Sequence, residues 1–237
     1  MNLTPNTSLV PWQNIDTVLL DMDGTLLDLN YDNQIFGHLL PAAYAKQHDL
    51  SAESSQEQLN SHMVRLMGTM DFYRFDYWRA FTGLDMVALH EQAAELICFL
   101  PGADTFLEQL THCSKRVLIA TNADRQSFDI KDKALSLTAR VDQVISSHDY
   151  GVPKENDAFW HTLVERTRLD PARTLFIDDT LSANHKMSDE NNNAAGADVV
   201  DVLKKAFPRW GIWCVHHIAK ENRNQKAENQ TSRGAGS

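Results

Sequence analysis

Cysteine is scarce: the chain of 237 residues has three, Cys98, Cys113 and Cys214. An odd number at wide spacing excludes a disulfide framework and fits reduced thiols, each expected to be buried as a small apolar side chain. Long hydrophobic runs are missing too. No apolar stretch is long enough to cross a bilayer, and the opening MNLTPNTSLVPWQNID has neither the basic flank nor the apolar core of a secretory signal. No membrane partner is expected, and the cytoplasm is the expected compartment. Basic charge is in deficit, with 22 Lys and Arg against 32 Asp and Glu, a net charge of −10. A phosphate backbone needs a basic surface, so nucleic acid is not an expected partner. A small phosphorylated substrate needs only one cation and one or two local lysines, and stays open. Hydrophobic content of 43% is enough for one large domain, or a core with a smaller companion.

What is present concentrates between Thr17 and Asp28, TVLLDMDGTLLD. The apolar run Val18 to Leu20 is too short for a helix and suits a buried strand, whose carboxyl end is where an open α/β sheet binds ligands. Alternation along an extended chain points Asp21 and Asp23 to one side and Met22 to the other. Two acids facing one site repel unless a cation lies beside them, and a hard, oxygen-preferring ion, Mg²⁺ above all, is the natural candidate. Gly24 then permits a tight turn that brings backbone amides near a phosphate.

The rest of the chain alternates helix and strand. A polar lead-in covers residues 1–14. Between 30 and 99 the pattern predicts helices over Gln34–Gln47, Ser51–Met70, Phe72–Phe81 and Met86–Phe99. The run DFYRFDYWRAF is unusually aromatic; Phe72, Tyr73, Phe75, Tyr77 and Trp78 either fill a small helical core or stack on a substrate ring. Arg65, Arg74 and Arg79 are expected on solvated faces. Pro101-Gly102 marks a turn, followed by a helix over Asp104–Leu110 and a buried strand, Arg116–Ala120, ending in Thr121-Asn122. A helix over Arg125–Leu137 and a strand over Gln143–Ser146 lead to Pro153-Lys154, with Pro153 suited to the first position of the helix that follows, Asn156–Arg168. Strand Thr174–Ile177 delivers Asp178-Asp179, adjacent acids that are costly without a cation. The Asn-rich stretch Leu181–Ala197 is read as a loop, its acids Asp189 and Glu190 as solvated, Asp198–Phe207 as a helix, Ile212–Val215 as a strand, and residues 219–237 as a disordered tail. His216 and His217 lack the partner spacing of a metal site.

The stretch Asp21-Met-Asp-Gly-Thr-Leu-Leu-Asp28 resembles the first motif of the haloacid dehalogenase-like (HAD) phosphohydrolases. Thr121, Lys154 after Pro153, and Asp178-Asp179 resemble the second, third and fourth, in order and each at a strand end. The resemblance implies an α/β fold, a Rossmann-like parallel sheet core formed by residues 15–29 and 100–218, with an α-helical cap, 30–99, inserted after the first strand. It implies Asp21 as nucleophile and Asp23 as general acid/base. Thr121, Asn122 and Lys154 would bind the substrate phosphate, and Asp21, Asp23 through its backbone carbonyl, Asp178 and Asp179 would hold Mg²⁺. DYW at Asp76–Trp78, PKE at Pro153–Glu155 and TLFIDD at Thr174–Asp179 are similar to the bacterial purine 5′-nucleotidase branch acting on GMP and IMP, which implies a purine nucleotide as the small phosphorylated substrate. The same motifs serve sugar-phosphate phosphatases and phosphomutases. A dehalogenase would not require Asp23, and a catalytically silent interaction protein would bind no Mg²⁺ and release no phosphate.

Overall fold

Thr17, Val18, Leu19 and Leu20 are buried without exception, the pattern of a strand covered on both faces inside a parallel sheet. The computed structural model describes residues 12–179 and the backbone of residues 211–214. In chain order these hold β1 (Thr17–Leu20), α1 (Asn30–Gln34), a π-helical turn (Ile35–Leu39), α2 (Leu40–His48), α3 (Ala52–Leu66), α4 (Met70–Tyr73), α5 (Phe75–Thr82) and α6 (Met86–Glu91). There follow α7 (Ala103–Thr111), β2 (Arg116–Thr121), α8 (Arg125–Leu135), β3 (Gln143–Ser146), α9 (Asp157–Thr167), β4 (Thr174–Asp178) and β5 (Gly211–Cys214). The loop 181–197, the helix expected over Asp198–Phe207, His216-His217, the tail and all but the last residues of the lead-in lie outside the described residues.

The strands form one parallel sheet in the order β3-β2-β1-β4-β5. From β1 the chain steps to β2 and β3 on one side, then returns to β4 and β5 on the other, so the winding direction reverses at β1. Ligands bind at such a reversal, outside the carboxyl ends of the strands. Alternation feeds two cores. Val18, Leu20, Val117, Ile119, Leu175 and Ile177 pack with Leu107 and Leu110 of α7 and Phe128 of α8 on one face. Leu19, Leu118, Ala120 and Phe176 meet Phe159, Trp160 and Leu163 of α9 on the other. The result is the expected α/β fold with a Rossmann-like parallel core.

The helices between β1 and α7 bury a third core of their own, with Tyr31, Leu40, Leu59, Phe75, Trp78 and Met86 among its members, and Ile130 of α8 joins it. The local geometry departs from the sequence expectation in identifiable places. Pro41 has no N–H and its ring crowds the carbonyl of the preceding turn. The helix expected over Gln34–Gln47 begins earlier, at Asn30, and ahead of Pro41 widens into the π turn, where the Leu40 N–H reaches Ile35 O. The aromatic helix breaks at Arg74, which is extended, because the Phe75 N–H is taken by Asp124 Oδ2 at 3.2 Å. Ser51 caps α3 as its position suggests, accepting from the Ser54 N–H at 3.1 Å. The last expected helix stops at Glu91, with only a 3₁₀ turn at Ala94–Leu96. Residues 98–100 run extended instead, with the Asp28 N–H on Cys98 O and the Leu100 N–H on Leu26 O.

This extended return also overturns one cysteine expectation. Ile97 faces the helical core and Phe99 the sheet core, so Cys98 between them points to solvent. Cys113, in the turn after α7, is exposed as well, its thiol donating to Gln109 O. Arg65, Arg74 and Arg79 are exposed as expected.

His90, only 1% exposed in the helical core, touches the Tyr31 hydroxyl through Nδ1 at 3.0 Å, while its Nε2 has no partner among the described residues. Burial, helped by the Lys131 ammonium, pushes its pKa down from 6.5 to about 3. The unfolded chain protonates His90 near pH 6.5 and the folded chain does not, so this contribution to stability is intact above pH 6.5 and erodes as pH falls toward 3. His90→Phe removes it: in urea titrations the natural protein should lose up to about 1.4 kcal/mol per pH unit more than the variant below pH 6.5. Parallel stability profiles would contradict a neutral buried imidazole.

Candidate active site

Asp21 stands one residue past β1, its N–H held by Ile177 O of β4 at 2.9 Å. Met22 is fully buried in the sheet core, so Asp21 and Asp23 turn to a common cavity, as alternation requires. That cavity measures about 130 Å³. Its walls are Asp21, Asp23 and Asp179, then Thr121, Asn122 and Ala123 at the end of β2, then Lys154 and Glu155, and finally Tyr73 of α4. The structure thus brings together the sequence-predicted residues from four separate stretches of chain.

The Lys154 ammonium is the hub of this arrangement. It is 4% exposed and lies 2.5 Å from Asp21 Oδ1 and 2.9 Å from Asp178 Oδ2. Burial works against its charge, but Asp178 and Asp21 outweigh burial and hold it protonated, its pKa pushed well up. Its backbone is pinned from two sides: the Lys154 N–H donates to Asn122 Oδ1 at 2.9 Å, and Lys154 O accepts from the Trp160 indole at 2.7 Å. These bonds keep Pro153-Lys154 in a turn. The helix therefore does not start at Pro153 but at Asp157, with Asn156 as its cap. Asn122 also donates through Nδ2 to both oxygens of Glu155, at 3.1 and 3.0 Å, and the Tyr73 hydroxyl reaches the same carboxylate at 3.2 Å. Thr121 Oγ1 accepts from the Ala123 N–H at 3.0 Å, tightening the turn out of β2.

Carboxylate oxygens of Asp21, Asp178 and Asp179 approach within 4.8 Å of one another. Burial drives the Asp21 carboxyl upward against the pull of Lys154, and Asp178 and Asp179 add to the rise. Asp179 is likewise raised, by burial first and then by Asp178. One ammonium does not balance three clustered acids, and an all-oxygen donor set at strand ends suits a hard divalent cation. Asp23 stands apart from this trio: its Oδ1 is paired with Lys131 Nζ at 2.6 Å.

Sequence reasoning passed over Lys131, Asp32 and Glu155 as site residues, and offered Tyr73 only as one of five aromatics that either fill a helical core or stack on a substrate ring. Lys131 left a signal, since it falls on the same helical face as Ser127 and Phe128, both buried, where a surface lysine does not belong. Of the aromatic run, only Tyr73 reaches the cavity. Phe75 and Trp78 are buried in the helical core, the Trp78 indole donating to Phe72 O at 2.8 Å, so they do not stack on a ligand there.

Gly24 has φ +88°, and a Cβ built there would overlap the Asp179 carboxylate. Gly24→Ala should cost about 2 to 3 kcal/mol in urea unfolding, from left-handed backbone strain and the displaced acid together. In an Asp179→Gly background the same change should cost only the backbone share, about 1 kcal/mol. Equal costs in the two backgrounds would contradict the close approach.

The profile of the haloacid dehalogenase-like hydrolases matches residues 15–184. Among curated relatives, the GMP/IMP nucleotidase YrfG of Escherichia coli (strain K12) is 35% identical over 171 residues, which covers 72% of this chain and 77% of that protein. The protein of the same name in Shigella flexneri matches equally. Among solved structures, a HAD phosphatase from Thermococcus onnurineus aligns with a TM-score of 0.62 at 20% identity, covering 81% of this chain and 98% of that one. A HAD-superfamily hydrolase from Geobacter sulfurreducens aligns with a TM-score of 0.50 at 15% identity, over 85% and 86% of the two chains. These structures share the fold, and the profile and the sequence relatives go further: the chain belongs to the haloacid dehalogenase-like hydrolases.

Proposed function

We propose that this protein is a Mg²⁺-dependent phosphomonoesterase that hydrolyses purine nucleoside 5′-monophosphates through an aspartyl-phosphate on Asp21. The observation that carries the reading is the Lys154 ammonium lodged between Asp21 and Asp178, in a cavity also lined by Asp23, Thr121, Asn122 and Asp179. Lysine, hydroxyl and amide groups around one carboxylate are the parts needed to hold a phosphoryl group in line with a nucleophile. The nucleotide assignment leans on the 35% identity to the GMP/IMP nucleotidase.

In the proposed reaction an Asp21 oxygen attacks phosphorus and the bond to the ester oxygen breaks as Asp23 donates a proton to that leaving oxygen. Asp23 then takes a proton from a water that attacks the same phosphorus, and the bond to Asp21 breaks, releasing inorganic phosphate. Lys154 offsets charge on the phosphoryl oxygens, while Thr121 and Asn122 position them. A Mg²⁺ held by Asp21, Asp178, Asp179 and the Asp23 carbonyl would supply the remaining positive charge. The cavity, about 130 Å³, takes a phosphoryl group but not a nucleoside, for which sites of about 300 Å³ or more are usual. The helical segment 30–99 is therefore read as a cap, and its Tyr73 contact with Glu155 must open to admit the substrate. Nothing in the reaction calls for nucleic acid or a membrane.

A panel of purine and pyrimidine 5′-monophosphates and sugar phosphates, assayed for phosphate release, tests this. GMP and IMP should lead the panel, a chelator should abolish turnover with recovery on adding Mg²⁺, and Asp21→Asn should lose at least about 1,000-fold. Phosphate transferred to a second sugar rather than released, sugar phosphates favoured over nucleotides, or an active Asp21→Asn would each contradict it.

A further inference from the structure

Lys131 is a buried cation that the proposed reaction does not use. It lies on α8, 1% exposed, with Nζ 2.6 Å from Asp23 Oδ1 and 2.9 and 3.1 Å from the two oxygens of Asp32. The Tyr31 ring closes over it, its centre 5.3 Å from Nζ. Burying an ammonium is costly and is sustained only by close, well-made pairs. An apolar side chain would fill the same volume at less cost, and the phosphate already has Lys154. What the lysine does is hold one oxygen of Asp23 while that residue lines the cavity.

We propose that Lys131 is a positioning residue for the proton-transfer step, holding Oδ1 of Asp23 so that its other oxygen carries the proton to the leaving oxygen and later accepts one from water, with Asp32 fixing Lys131 in turn. This rests on the reading of Asp23 as general acid/base. An unpaired aspartate ahead of a turn can exchange between staggered rotamers, whereas proton transfer needs its oxygen within hydrogen-bond reach of the leaving atom. Lys131 removes that freedom from a rigid support. Its helix is built into two cores at once, Phe128 in the sheet core and Ile130 in the helical one. Asp32 lies in α1, the first turn of the inserted segment, so the ion triad joins the start of that segment to the acid it covers.

The test exploits leaving groups. The ribose alkoxide of GMP needs a proton to depart and p-nitrophenolate does not, so a misplaced acid slows phosphoryl transfer from the first and spares the second. Two variants are compared with the natural protein: Lys131→Met, and Lys131→Met with Asp32→Asn, which keeps the net charge of the triad and leaves no second unpaired acid. Rates are taken from rapid-quench guanosine formation and from the burst of p-nitrophenolate, normalised to burst amplitude so that only folded sites are counted. Guanosine formation should fall about 30-fold or more while the burst rate changes less than about threefold. An equal fall for both substrates, or no fall for GMP, overturns the positioning role. Asp23→Asn separates the two levels of inference. If it shows the leaving-group selectivity and the Lys131 variants do not, only the role of Lys131 fails. If Asp23→Asn is itself unselective, the acid/base reading of Asp23 fails.

Discussion

One ammonium among acids at the ends of parallel strands is the interaction on which the rest of this structure depends. Lys154 touches Asp21 beyond β1 and Asp178 at the end of β4. The two acids stand level because Leu20 pairs with Ile177 in the parallel register. A strand slipped by one residue would turn the apolar set of β1 to the wrong faces, so the packing of Val18 and Leu20 against one helical layer and Leu19 against the other secures the level of Asp21. Core and site are thus two consequences of one register.

Polar bonds complete what the cores begin. The turn carrying Lys154 has no regular structure, and Asn122, itself tied to Glu155, and Trp160 hold it by the backbone N–H and C=O of the lysine. Gly24 lets the chain turn sharply beside Asp179, where no other residue fits without moving the acid. The helical segment meets the site from two sides: Tyr73 on Glu155, the Phe75 N–H on Asp124 and Met70 beside the Ser147 hydroxyl on one, and Asp32 on Lys131, the partner of Asp23, on the other. Behind these polar contacts, Ile130 of α8 packs into the helical core, so an apolar seam also joins the segment to the sheet domain.

The sheet and the cluster at its ends were legible in the sequence for a physical reason. Short apolar runs ending in Asp21, Thr121 and Asp178 carry both the strand and its chemistry in a few adjacent residues. The helical segment was legible in type but not in its breaks. Arg74 is extended because the Phe75 N–H donates to Asp124, a residue far along the chain, and the return through Cys98 is dictated by pairing with residues 26–28. The burial expected of Cys98 failed for the same reason, since its neighbours Ile97 and Phe99 took the two inward directions. Lys131 and Asp32 were missed because their partnership spans 99 residues and neither stands at a strand end. Tyr73 belongs to an aromatic run in which the buried members and the one facing the cavity have the same composition.

The covalent chemistry proposed for Asp21 is open to direct observation. Turnover of a nucleoside monophosphate is quenched rapidly, the chain is reduced with borohydride, and its peptides are sequenced by mass spectrometry. An acyl phosphate on Asp21 is reduced to homoserine at position 21, and this is the result expected. Homoserine at another aspartate, or a chain unmodified throughout rapid turnover, would contradict nucleophilic attack by Asp21.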